Sequence, residues 1–220
     1  MASSPYVRAQ DLPMVIPVFP LDGALLLPHT ALPLNIFEPR YLAMVDEAMA
    51  TERIIGMVQT RPGGDPERPS LQPVGCAGKI TAFAETGDGR YLITLTGLSR
   101  FQTREELPAL GPYRRVRADF TAFEDDLAAE EDAEEGFDRL RLLAALKAYL
   151  HRRAMDVDWA AAKDAPAEAL VNSLAMALPF EPAEKQALLE APSLAARRET
   201  LSALLEIDTD SMDEDGPPVQ

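Results

Sequence analysis

Over the first 123 residues, apolar positions come in short runs and strict alternation, the pattern of strands rather than helices. Met14-Val-Ile-Pro-Val-Phe19 and Ala31-Leu-Pro-Leu-Asn-Ile-Phe37 are two such runs. Their prolines remove ladder donors, so both strands are expected at edges or bends. Pro39 suits the first turn of a helix. Tyr41, Met44, Val45 and Ala48 follow at helical spacing, which predicts an amphipathic helix over 39–50. Ile54 to Val58 reads as a buried strand, and 61–72, rich in proline and glycine, as a loop. Val74 to Ala84 and Tyr91 to Thr96 flank Thr86-Gly-Asp-Gly-Arg90, a hairpin whose glycines supply the positive φ a tight turn needs. From Tyr113 to Phe123, Val116, Ala118, Phe120 and Ala122 alternate with Arg115, Arg117, Asp119 and Thr121, so one face is buried. Several short strands around one helix predict a small, closed or nearly closed β-barrel over residues 13–123.

After Phe137 the period becomes helical. Phe137, Leu140, Leu143, Ala144 and Leu150 mark one long helix ending near Arg153. Asp158 caps a short helix from Trp159, Pro166 and Pro182 open two more, and Ser193 caps a last one bearing Leu194, Leu201, Leu204 and Leu205. The fold class is therefore α+β, a barrel followed by a helical bundle over 137–206. Nine of the fifteen residues Glu124–Asp138 are acidic and none is basic. Such a run repels itself, so 124–136 is expected to be a solvated linker. The acidic, Gly/Pro-bearing tail 207–220 is expected to be disordered.

Charge narrows the function. The net charge is −15, and residues 124–220 hold 23 acidic against 9 basic side chains. A surface of that sign is repelled by phosphate backbones, which argues against general nucleic-acid binding. No run approaches the roughly 18 to 20 apolar residues of a membrane span. The segment Met1 to Arg8 lacks the apolar core of a secretory signal. One cysteine, Cys76, excludes an internal disulfide, and one cysteine with two histidines argues against a dedicated zinc site. The expected setting is the cytoplasm, with no cofactor and no metal.

Catalytic patterns are missing. Gly75-Cys-Ala-Gly78-Lys79 has two residues between its glycines where a phosphate loop needs four, and Ile80 follows the lysine. It reads as a strand whose small residues admit close backbone approach. No His-Glu-x-x-His or Gly-x-Ser-x-Gly occurs. A triad would need His29, in a loop after Pro28, or His151, at a helix end. Cys76 has no local base and reads as a buried, inert thiol. Trp159 reads as filling between helices. No residue is assigned a catalytic role.

The segment Ile16-Pro-Val-Phe-Pro20 through Leu32-Pro-Leu34 to Ile36-Phe-Glu-Pro-Arg-Tyr41, with Met44-Val45 beyond it, strongly resembles the opening of the Lon protease N-terminal, substrate-binding domain. Gly75-Cys-Ala-Gly-Lys-Ile80, Asp88-Gly-Arg90, Gly97-Leu-Ser-Arg-Phe101 and Lys185-Gln-Ala-Leu-Leu-Glu190 match later parts of that family's pattern. The ordered combination, over about residues 13–206, is specific. Two departures concern loop shape: Leu21-Asp22 precede Gly23, and Glu181 stands where a serine often caps the helix before Lys-Gln. The resemblance implies a PUA-like (pseudouridine-synthase-associated) barrel with a helical bundle. It implies a role in recognising unfolded or tagged polypeptides, here without the ATPase and peptidase parts and with a separate ATP-dependent protease as a possible partner. The related drug- and uracil-binding modules need a tryptophan cage and a zinc-cysteine cluster, which one Trp and one Cys cannot supply.

Within that pattern, Phe19, Pro20, Pro33, Phe37, Glu38, Arg40, Tyr41, Gly97 and Phe101 are expected to be structural, with Glu38–Arg40 fixing a strand-to-helix corner and Tyr41 packing into the barrel. Leu25-Leu-Leu27 is the candidate peptide-binding loop. Three consecutive leucines in an extended stretch cannot all point inward, so at least one should be exposed or lie under another element. The opposing reading is that the helical half covers them. Two other classes stay open: an RNA-binding PUA-like module, resting on Arg114, Arg115 and Arg117, and a hydrolase with an unrecognised site.

Overall fold

A computed structural model of the chain describes residues 6–63, 65, 68–108, 110–128 and 137–210. Among these, six strands form one mixed sheet: β1 (Val15–Pro20), β2 (Ala31–Ile36), β3 (Ile54–Val58), β4 (Val74–Glu85), β5 (Tyr91–Leu107) and β6 (Arg114–Asp119). Helix α1 (Pro39–Ala50) follows β2. The second half is helical: α2 (Arg139–Arg152), α3 (Trp159–Asp164), α4 (Ala167–Ala177), α5 (Pro182–Glu190) and α6 (Leu194–Asp210). The strand order is β2-β5-β4-β3-β1-β6, and β5 also pairs with β6. The pairings β1-β3-β4-β5-β6 thus return to β1 as a ring. The 17-residue β5 makes this possible because its two ends serve different partners, Tyr91–Thr96 pairing with β2 and Gln102–Leu107 with β6. Strand β2 hangs outside the ring, with β5 on one side and no strand on the other.

Helix α1 runs over the predicted 39–50, with Pro39 in its first turn and Tyr41, Met44, Val45 and Ala48 buried. Several expectations differ. β1 carries Pro17 and Pro20 yet lies between β3 and β6. Its two ladders are staggered: Val15–Val18 pair with β6 and Val18–Pro20 with β3, so Pro17 faces a partner on one side only. Among the described residues, β2 alone has a strand on one side only. β5 continues eleven residues past Thr96, because Gly97 and Arg100 are built into the ladder rather than ending it. β6 stops at Asp119, whose carboxylate accepts the Thr121 N–H at 2.9 Å and turns the chain into a 3-10 helix, Thr121–Leu127. Ala122 is therefore exposed instead of continuing the buried face. That helix also replaces the start of the expected linker, while 129–136 lie outside the described residues. Helix α6 reaches Asp210, so helix runs into the segment expected to be tail, and 211–220 are outside the described residues.

Two apolar clusters organise the interior. Ile16, Val18, Ile54, Val58, Phe101, Val116 and Phe120 fill the ring. The ring of Phe101 lies where Cβ atoms on Gly56 and Gly75 would come within 3.0 and 2.6 Å, so those glycines make room for it. The second cluster lies between sheet and helices and joins Phe19, Leu25–Leu27, Tyr41 and Leu95 to Leu142, Leu146, Tyr149, Leu174 and Leu188. Fully burying each such side chain contributes about 1.5–3 kcal/mol, so the halves share one core.

Candidate functional site

The segment 24–30 runs between the two layers. Leu25, Leu26 and Leu27 are buried, at 2%, 1% and 0% exposure. This corrects their candidacy as a peptide-binding surface. The alternation rule holds for a strand with one dry face, but this irregular segment has protein on both sides, so consecutive side chains all find cover. Leu26 lies over Gly78 and the Leu27 carbonyl over Gly97; a Cβ on Gly97 would stand 2.0 Å from that oxygen. Gly97 also donates to Thr30 C=O at 2.9 Å and accepts from His29 N–H at 3.1 Å. His29 itself sits at φ +61°, and its ring Nδ1 lies 3.2 Å from Glu168 of α4.

Most of the other motif residues belong to the joint between the halves or to the core. Arg100, which sequence reasoning passed over inside Gly97-Leu-Ser-Arg-Phe101, is the joint's main clamp. Its guanidinium grips Asp126 through Nε and Nη2, each at 2.8 Å, and its Nη1 donates to the Leu189 and Ala191 carbonyls at the end of α5. A cation there satisfies carbonyls that have no helical partner. Lys185 Nζ reaches Gly23 C=O at 2.7 Å and Met176 C=O at 3.2 Å, and burial holds its pKa below the usual lysine value. Gln186 donates to Val74 C=O, and Gln59 to Gln186 and Pro182. Arg197 donates to Leu188 C=O and Asn172, and its pKa is lowered to about 10 by burial first and by Arg100 second. Glu38 and Arg40 pair at 2.9 Å beside the strand-to-helix corner, with both side chains about half exposed rather than shielded. Tyr41 stacks 4.1 Å from Phe19 in the cluster outside the ring, not inside it as expected. Pro20 ends β1, and Phe101 is fully buried.

Catalytic readings gain nothing from the geometry. Cys76 is fully buried and its thiol is pushed up, chiefly by desolvation. Among the described residues, no group of three or more His, Cys, Asp or Glu could hold a metal ion, and no helix is long and apolar enough to cross a membrane. Two of the three arginines invoked for RNA, Arg114 and Arg117, are engaged with acids. Arg114 binds Glu106 at 2.5 and 2.9 Å, holding that carboxyl below its ordinary range, and Arg117 reaches Glu105 at 3.4 Å.

What stays open is the surface around β2. Pro33, Asn35, Ala82, Ala84, Leu92 and Thr94 line an apolar depression of about 460 Å³ on the outer side of β2, β5 and β4. Leu92 is 47% exposed at its centre, and Phe37, 61% exposed, stands at the end of β2 with the Arg90 guanidinium 5.8 Å from its ring. A second depression, also about 460 Å³, runs between β2 and α4, lined by His29–Pro33 and by Ala169, Ser173, Met176 and Ala177. Those α4 residues recur at helical spacing on one face, and the residues between them bury the other. Pro33 borders both depressions. The sequence signal for this surface lies in Ala31-Leu-Pro-Leu and Phe83–Leu92, whose pattern alone is that of any edge strand and hairpin.

Comparison with known proteins agrees with this architecture. A sequence profile of the "ATP-dependent protease La (LON) substrate-binding domain" matches residues 15–206. Lon protease 2 of Myxococcus xanthus is 29% identical over 220 residues, covering 93% of this chain and 25% of that protein. Lon protease 2 of Thermus thermophilus is 27% identical over 199 residues, covering 89% of this chain and 24% of that protein. The chain thus spans about a quarter of the length of these curated relatives. The crystal structure of a Lon N-terminal domain protein from Xanthomonas campestris superposes with TM-score 0.59 at 23% identity, covering 86% of this chain and 97% of that one. The N-terminal domain of Mycobacterium avium complex Lon protease gives 0.61 at 20% identity, covering 87% and 98%, so the shared feature is the fold.

Proposed function

The chain belongs to the Lon substrate-binding domain family, and from that premise we propose that it is a non-catalytic, cytoplasmic module that holds unfolded or tagged polypeptides and can present them to a separate ATP-dependent protease. The observation that carries this reading is the apolar surface around β2, with Leu92, Phe37 and Pro33 open to solvent beside two depressions. Adjoining exposed apolar side chains that the fold does not need for its own core are what a surface for unfolded clients requires. The ring of strand pairings supports the PUA-like description. The net charge of −15 favours clients that are neutral or basic.

The test is fluorescence anisotropy with a labelled, permanently unfolded client (a reduced, carboxamidomethylated protein) and the same protein in its folded form. The unfolded form binds and the folded form does not; binding to a basic client weakens as salt is raised toward the screening regime. Leu92→Asp weakens binding at least about tenfold, equivalent to about 1.4 kcal/mol, with the fold unchanged because the side chain is already exposed. Equal binding of folded and unfolded forms, or an unaltered affinity in Leu92→Asp, refutes the reading.

A further inference from the structure

We propose that the client is bound by strand addition: an extended polypeptide segment pairs with the free edge of β2. This deepens the polypeptide-binding reading above and rests on it. In an antiparallel pair, alternate residues exchange hydrogen bonds with the partner while those between turn their N–H and C=O outward. The Gly97 N–H to Thr30 C=O bond fixes the parity. In the register Leu32↔Leu95, Leu34↔Ile93 and Ile36↔Tyr91, those three β2 residues face β5, and the backbones of Ala31, Pro33 and Asn35 face away. Pro33 agrees with this, since a residue without an N–H costs nothing on the outward side. No hydrogen bond to the outward groups of these three residues occurs among the described residues, and all three are exposed. Two N–H groups and three carbonyls therefore stand in a row at strand spacing.

An unpaired row of this kind is a template for another extended backbone. The two depressions then fall on either flank of the added strand. Its side chains alternate, one set toward Leu92 and Ala84, the other toward Met176 and Ser173 of α4. The occupant is thus a segment apolar on both faces, the composition of a strand that is buried in its own folded protein. The net charge of the chain disfavours acidic segments and favours neutral or basic ones. Pro33 deletes one bond from the middle of the edge, which keeps the pairing short-lived and weakens pairing between two copies of β2.

The experiment uses the full chain and a labelled synthetic peptide with about six Val, Leu and Thr residues, a typical strand length, between terminal lysines. Three forms are compared: unmodified, N-methylated on alternate amides, and N-methylated on every amide. Strand addition predicts that the first two bind within about threefold of each other, because a peptide methylated along one edge still offers the other. The fully methylated form loses at least about tenfold in affinity. Asn35→Pro removes an outward donor without touching the β5 ladder and loses a similar factor. Amide hydrogen exchange slows at Ala31 and Asn35 when the unmodified peptide is bound. If the fully methylated peptide binds as well as the unmodified one, strand addition is wrong while polypeptide binding stands. If the unmodified peptide fails to bind although the unfolded client does, strand addition is again overturned. If neither binds, both readings fall. A dimer in sedimentation that Asn35→Pro dissociates assigns the edge to a second copy and also overturns the proposal.

Discussion

Replacing Arg100 by Met tests whether the two halves are held by one buried ionic clamp. The side chains of Arg100 and Asp126 are only 5% and 10% exposed. Four donor–acceptor contacts leave with the guanidinium: two to Asp126 at 2.8 Å each, and those to Leu189 and Ala191 C=O at 3.2 and 2.5 Å. Met retains most of the apolar stem, so a cavity is a minor part of the loss. Removing one partner of a buried ion pair costs about 3–5 kcal/mol, because the remaining charge is stranded. Asp126 keeps the Arg100 backbone N–H at 2.9 Å, which moderates the cost, and the two orphaned carbonyls add to it. The expected loss is about 4 kcal/mol, a large fraction of the roughly 5–15 kcal/mol that stabilises a typical domain. Urea unfolding followed by circular dichroism, with an unchanged slope against denaturant, measures it. Asp126→Asn in the Arg100→Met background removes the stranded charge, so the double variant recovers about 2–3 kcal/mol relative to the sum of the singles. Arg100→Lys keeps a cation without the fork and falls between wild type and Met. A loss below about 1 kcal/mol in Arg100→Met, or strict additivity in the cycle, would refute the clamp, since the lower limit for breaking such a pair is about 3 kcal/mol.

Two further outcomes follow from the same packing. Gly97→Ala sets a methyl against the Leu27 carbonyl oxygen, a backbone atom, and costs at least about 3 kcal/mol in thermal or urea unfolding with no local rescue. Gly78→Ala instead meets the end of the Leu26 side chain at 2.6 Å, so Leu26→Ala costs less in its presence than alone, and equal costs would show that the clash is absent. Tyr113 has its pKa pushed up to about 12 by burial first and by its hydrogen bond to Glu47 second. A raised folded-state value means its contribution to stability is complete below about pH 10, the unfolded value, and is lost as pH rises toward 12. Stability that falls over that window in the wild type but not in Tyr113→Phe confirms this, and identical alkaline profiles contradict it.

The sequence carried α1 and the helix starts because their signals are local: Pro39, Asp158, Pro182 and Ser193 act on backbone groups within one turn. Asp158 accepts from the N–H groups of Ala160 and Ala161, and Ser193 from Ala196. It carried the buried face of β6 for the same reason. What it could not carry depends on a partner distant in the chain. Nothing near Pro17 says that its ladders are staggered, and nothing near Thr96 says that β5 will bend past Gly97 to serve β6 as well. The expectation for Leu25–Leu27 used the right rule in the wrong environment, since alternation assumes a wet side. Asp126 looked like one more residue of a solvated run until the fold brought Arg100, 26 positions earlier, to meet it. The open edge of β2 was hinted at by Pro33, but its significance required knowing that β5 lies on one side only and that α4 stops short of the other.

The position of the candidate surface also explains why both halves are needed for it. Taken alone, the sheet would expose Leu25, Leu26 and Leu27 and would have no wall opposite β2. The helical half covers the first and supplies the second: α4 buries Leu170, Val171, Leu174 and Ala175 on one side and offers Ala169, Ser173 and Ala177 on the other. Its distance from β2 is set by polar contacts at the start of the strand, where Asn172 donates to Pro28 C=O at 3.3 Å and Glu168 meets His29. Those contacts lie next to Thr30, whose carbonyl fixes the parity that turns Ala31, Pro33 and Asn35 outward. A rigid joint and a free edge therefore begin at the same few residues. On the strand-addition proposal, these contacts hold α4 beside β2 while leaving the outward backbone groups of Ala31, Pro33 and Asn35 open to an incoming strand.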